Sequence, residues 1–76
     1  MTTNYDEAAD ILLVITRAIV QAVEEIGPSG SPAGPMFMAF QAYGISLDAF
    51  EAITGALVDA GKIAKRGYCF YPITHH

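Results

Sequence analysis

The sequence predicts a mostly α-helical domain closed by a C-terminal β-hairpin, and three observations predict it. Three stretches carry apolar residues at helical spacing. Glycine, proline and serine punctuate the joints between them, at Gly27-Pro28, Ser31-Pro32, Gly44 to Ser46 and Gly61. The last stretch is rich in aromatics on the far side of Arg66-Gly67, which suits two paired strands. The chain has 76 residues, so a single domain over 1–76 is expected. A domain this small buries only about 60% of the surface of its unfolded chain. Its own core therefore supplies about 3–5 kcal/mol of net stability.

Residues 6–26 read as the first helix. Asp6 is placed as its N-cap, and Glu7 and Asp10 put negative charge at the positive end of the helix dipole. Gly27-Pro28 stops it. At 100° per residue, Ile11, Leu12, Ile15, Ala18, Ile19, Ala22, Val23 and Ile26 share one stripe. Asp10, Arg17, Gln21, Glu24 and Glu25 lie opposite. Leu13 and Val20 break this pattern together on one flank, and Val14 lies near the polar centre.

Residues 27–35 read as a loop running into the next helix, since all but Ala33 are glycine, proline or serine. Gly27, Gly30 and Gly34 do not match a phosphate-cradling GxGxxG, and no strand precedes them nor lysine follows. Ser31 is expected to cap the second helix with Pro32 at its first position. That helix is expected over 32–43, with Gly44 closing it and Pro35 tolerated in its first turn. Met36, Phe37, Phe40 and Tyr43, widened by Met38, give it a bulky apolar face. The face reads as ordinary core or as a ligand pocket; core is favoured, because a chain with no tryptophan must fill its centre with Phe, Tyr and Met.

Residues 46–60 read as the third helix. Ser46 is its N-cap, and Ile45 with Phe50 matches the hydrophobic staple. Phe50, Ile53, Leu57 and Ala60 form the buried stripe, extended by Leu47 and Thr54. Only Gly44 to Ser46 separates this helix from the second, and a short glycine-containing turn between helices is the mark of a helix-turn-helix. Residues 62–73 read as the hairpin, with Arg66-Gly67 at its turn and Pro72 ending the return strand or marking it as an edge.

Composition narrows the function classes. At 53% hydrophobic and 16% charged residues the chain has ample surface to bury, which excludes disorder. The apolar run Ile11 to Ile15 is far short of the ~20 residues that span a bilayer. The acidic N-terminus is unlike a signal peptide. A cytoplasmic protein without membrane contact is expected. Cys69 is the only cysteine, so neither an internal disulfide nor a Cys-based zinc site is available. Residues 1–61 hold all eight acids and one base, whereas 62–76 hold three bases and no acid. The net charge of −4 is thus a strongly acidic body with a basic end, which repels phosphate over most of its surface.

An enzyme needs converging groups, and none converge here. Ser29, Ser31 and Ser46 have no candidate base nearby except His75 and His76, which read as a native end or as the remains of an expression tag. Cys69 reads as a small buried hydrophobe rather than a reactive thiol. Asp48 and Glu51 share a helix face without a third partner. No catalytic residue, metal or cofactor is expected.

The order long helix, Gly/Pro loop, short helix, three-residue turn, helix and hairpin resembles the winged-helix family of helix-turn-helix domains. Pro32 to Ile63 carries the resemblance, above all Leu57-Val58-Asp59-Ala60-Gly61-Lys62-Ile63, which looks like that family's Leu-Val-x-x-Gly-x-Ile leading into the wing. It covers roughly residues 8–73 and associates the chain with small accessory proteins of the phage and plasmid type. The resemblance implies a three-helix core plus wing, and DNA binding with the third helix in the major groove and the wing on the backbone. Carried over residue by residue, the groove contact fails. The outward face of the third helix presents Asp48, Glu51, Ala52, Gly55, Ala56 and Asp59, with none of the Arg, Lys, Asn or Gln that make most base contacts. The wing matches: Lys62, Lys65, Arg66 and Tyr68 can meet phosphates, or can simply solvate the sheet edge.

Two functions follow. The favoured one is a non-enzymatic interaction module: a dimeric adaptor, inhibitor or accessory regulator that docks proteins through the acidic face Asp48, Glu51, Ala52, Gly55 and Asp59. The alternative is a DNA-binding regulator that contacts phosphates through the wing. A homodimer is expected through the first helix, with Leu13, Val14, Arg17, Val20 and Glu24 at the interface. Leu13 and Val20 lie a heptad apart, and so do Arg17 and Glu24 beside them, so antiparallel helices would set Arg17 near the partner's Glu24. The other reading has Met1 to Tyr5 folding back over Leu13, or these side chains simply exposed.

Overall fold

The computed structural model describes the backbone of residues 4–73 and the side chains of residues 10–73. Three helices and a small antiparallel sheet make up the chain: α1 (Asn4–Ile26), a 3₁₀ turn (Gly27–Ser29), β1 (Ser31–Pro32), α2 (Ala33–Gln41), α3 (Leu47–Asp59), β2 (Ile63–Arg66) and β3 (Cys69–Pro72). The sheet order is β1-β3-β2, both pairings antiparallel. The expected composition, mostly helical with a C-terminal hairpin, is therefore correct. No helix among the described residues is long and apolar enough to cross a membrane.

α1 starts at Asn4, so Asp6 lies inside the helix and is not its N-cap. Met1 to Thr3, the Glu7 side chain, His75 and His76 lie outside the described residues, whereas Asn4 and Tyr5 continue α1 and do not fold back over Leu13. From Ile15 onward α1 behaves as its periodicity requires. Ile15, Ile19 and Val23 are almost fully buried, and Ala18 and Ala22 pack beside them. The rest of the expected stripe is not covered: Ile11, Leu12 and Ile26 are about half exposed. Val20, expected outside, is half-buried against the core.

The segment before α2 holds a strand that its composition concealed. Ser31 and Pro32 pair with Phe70 and Cys69, and Ala33 N–H donates to the Tyr68 carbonyl at 2.8 Å. Ser31 therefore does not cap α2. It is buried in the sheet with its hydroxyl unpaired, and Pro32 takes the N-cap position without a side-chain bond. Gly30 turns the chain into this strand at φ 90°, and a Cβ there would stand 2.7 Å from Cε1 of Tyr71. Both the backbone conformation and the ring exclude a side chain. Gly30→Ala should destabilise by about 1–3 kcal/mol. Gly55→Ala, in open space in the interior of α3, should stabilise by about 0.5–1 kcal/mol. Urea midpoints of the two variants, shifting in opposite directions from wild type, check the pair.

α2 is shorter than expected at both ends. Only Met36 and Phe40 of its bulky face are buried; Phe37 is half-buried, whereas Met38 and Tyr43 are exposed. α3 follows its sequence signals closely. Ser46 Oγ accepts from Ala49 N–H at 3.1 Å, and Ile45 packs on the core with Phe50 as the staple requires. Ser46→Ala should cost about 1 kcal/mol by thermal melt. At the other end Lys62 N–H donates to the Leu57 carbonyl and Gly61 N–H to that of Val58, a Schellman closure with Gly61 at φ 73°. Phe50, Thr54 and Leu57 are the buried residues of α3, and the Thr54 hydroxyl is satisfied by the Phe50 carbonyl. Leu47 and Ala60, expected in the stripe, are exposed.

The hairpin turns one residue later than expected. Arg66 pairs with Cys69, so Gly67 and Tyr68 form the two-residue loop and Arg66 belongs to β2. Gly67 has φ 60° and Tyr68 does not share it, which is the II′ pattern. β3 is the central strand, so Pro72 ends it and does not mark an edge. Phe70 from β3, Ile63 from β2, and Phe50 from α3 close the core against α1 and α2. The Phe50 ring lies 5.5 Å from that of Phe37 and 6.3 Å from that of Phe70.

Candidate functional site

Two surfaces on opposite flanks of α3 carry the residues that sequence reasoning singled out. The helix's outward face divides by spacing. Glu51, Gly55, Asp48 and Asp59 succeed one another on one side, and Ala52, Ala56 and Ala60 on the other.

The acidic side borders a groove of 340 Å³ between α2, α3 and the hairpin. Phe37, Phe50 and Phe70 form part of its lining, and Glu51, Asp59 and Lys65 stand among its polar residues. The structure thus joins part of the expected acidic face to one base of the wing. Asp48 and Ala52 do not line this groove. Gly34 and Gly55 do, and neither needs to be glycine for the fold, since nothing lies within 4 Å of a Cβ at either. Two helical glycines here keep the groove wide where alanine would favour the helices. Sequence reasoning missed Gly34 here because it lines the groove from α2, a different helix from Gly55.

The wing residues Lys62, Lys65, Arg66 and Tyr68 are all exposed, Tyr68 at 86%. They do not point outward as one free set. Arg66 lies over the Tyr71 ring at 4.4 Å and Lys65 lies near that of Phe70 at 5.8 Å. Each such contact is worth about 0.5–1 kcal/mol at an exposed site, so these bases also hold the hairpin's own aromatic strand.

The alanine side of α3 faces α1 across a mostly apolar trough. Leu12 and Thr16 form one wall, with Ala52, Ile53, Ala56, Leu57 and Lys62 opposite. A second hollow continues it along Thr16, Arg17, Val20 and Glu24, sharing Leu57 and Lys62. Beyond the trough the described residues cover the start of α1 only in part. Ile11, Leu12, Leu13 and Val14 are 58%, 50%, 48% and 62% exposed. Four consecutive helical residues point in every direction around the axis. This end of α1 is therefore apolar on all sides and about half exposed throughout. Of the expected interface residues, Leu13, Val14, Arg17 and Glu24 are exposed, and Val20 alone is shared with the molecule's own core.

Cys69 is half-buried in β3. Among the described residues no three His, Cys, Asp or Glu side chains come together as metal ligands would. No family model, no curated protein and no solved structure matches the chain.

Proposed function

We propose that this chain is a non-enzymatic, winged-helix-like interaction module that self-associates through α1 and docks a basic protein surface through the acidic side of α3. The single observation that carries the reading is the bare end of α1. Ile11 to Val14 form a turn of large aliphatic residues that the described chain leaves about half exposed, and such patches mark protein contact surfaces. The fold assignment is supported by the element order and by β3 lying between β1 and β2, so that a strand before the second helix joins the hairpin. The acidic role is supported by Glu51 and Asp59 bordering an open, aromatic-floored groove. An adaptor, inhibitor or accessory regulator working inside the cell would use such a surface against a positively charged partner.

DNA binding through the wing is the second reading, favoured by the exposure of Lys62, Lys65, Arg66 and Tyr68 at one end of an otherwise acidic molecule. A mobility-shift assay with mixed duplex DNA at low salt separates the two, since non-specific phosphate contact is strongest there. The expected result is no retardation. Micromolar binding that the Lys65→Glu/Arg66→Glu double variant abolishes would replace the adaptor reading with the regulator.

A further inference from the structure

We infer that a second copy of this chain covers the bare end of α1, crossing it antiparallel at the level of Leu13 and Val14, with Asp10 of each copy against the partner's Arg17. The inference rests on the reading of α1 as a self-association surface and adds the occupant, its direction and its register.

The pattern of charge around the bare turn selects the occupant. Asp10 lies three residues before Leu13, and Arg17 lies three residues after Val14. The two are seven apart and so share one line of the helix. Neither has an opposite charge within reach on its own helix. The residues three and four after Asp10 are Leu13 and Val14, and those before Arg17 are the same two; Val20 and Gln21 follow Arg17 at that spacing. An acid and a base placed at equal distances on either side of an apolar centre are complementary to themselves under a two-fold axis. A foreign protein has no need of that symmetry. Parallel packing would set Asp10 beside Asp10 and Arg17 beside Arg17.

Burial selects the register. Pairing Arg17 with the partner's Glu24 would move the crossing point to Val20 and Gln21. There Val20 already packs on the molecule's own core, and Gln21 is exposed and bonded to Glu25. Leu13 and Val14, by contrast, are 48% and 62% exposed and stand outside the core cluster. Leu13 and Val14 lie on either side of the Asp10–Arg17 line, each within about 60° of it, so a helix laid along that line reaches both.

One edge of the inferred contact, at Leu13, borders the trough between α1 and α3. Leu13 and Val20 follow each other on the flank that borders it. The two connected hollows measure 450 and 520 Å³, several times the ~150 Å³ that accepts a benzene ring. Lys62 stands in both hollows, on the path that the acidic start of the partner's helix would take.

The test uses the full chain and two charge reversals, Asp10→Arg and Arg17→Asp, read by sedimentation equilibrium at low salt. In the register inferred here, the first variant presents only bases across the axis and the second only acids. Each alone should dimerise roughly tenfold more weakly than wild type. Mixed, the two should form a heterodimer at near wild-type affinity, because both contacts become attractive again. The double variant in one chain should recover likewise. Circular dichroism of each variant should match wild type, since both positions are exposed. A dimeric wild type whose single variants neither weaken nor prefer each other would overturn the register while leaving self-association standing. A wild type that remains a monomer would overturn both.

Discussion

Phe50→Ala should leave the chain largely unfolded at room temperature. Phe50 is 2% exposed and is the ring on which α2, α3 and β3 converge, through Phe37 at 5.5 Å and Phe70 at 6.3 Å. Truncating a buried Phe costs about 3–5 kcal/mol, lost contacts and residual cavity together. That equals the about 3–5 kcal/mol of net stability a core of this size supplies. Leu57→Ala, two turns further along the same stripe, should cost about 2–5 kcal/mol and come close to the same result. Circular dichroism during a thermal melt checks both. A Phe50→Ala protein melting within a few degrees of wild type would show that α3 does not seat on this aromatic cluster.

Leu13→Glu/Val14→Glu should abolish self-association without loosening the fold. Both side chains are exposed in the single chain, so the monomer loses nothing it had buried. Full burial of such a side chain is worth about 1.5–3 kcal/mol, and each is about half exposed, so each contributes roughly 1 kcal/mol in each copy. Four such side chains in a two-fold dimer amount to roughly 4 kcal/mol. Losing them raises the dissociation constant by several hundredfold. Four carboxylates brought together at the crossing point weaken it further. Leu13→Glu/Val20→Glu would be a poorer choice, because Val20 also supports the core and its loss would unfold as well as dissociate.

How far the sequence could be read depends on whether the deciding contact is local. α3 was legible to the residue because its limits are set locally, by the Ser46 hydroxyl at one end and the Gly61 turn at the other. The hairpin was legible in kind but shifted by one residue, since Gly67 serves either position of a two-residue turn until the register of Arg66 against Cys69 is known. β1 was hidden because two residues, one of them proline, carry no strand signal of their own; their partner Phe70 lies 39 positions further on. The periodicity of α1 correctly identified which line of the helix faces inward. It could not say where the body ends, and so it placed Ile11, Leu12 and Ile26 inside. Ile11 and Leu12, which periodicity credited to the core, are about half exposed, whereas Val20, credited to the outer flank, is half-buried against the core. The acidic side of α3 was visible in sequence, but its groove was not, because Phe37 and Gly34 reach it from another helix.

Sedimentation equilibrium of the unaltered full chain tests the central claim most directly. The bare aliphatic turn of α1 predicts a species of twice the 8.1 kDa chain mass at about 100 µM, dissociating on dilution. A single species of the chain mass at that concentration would contradict it.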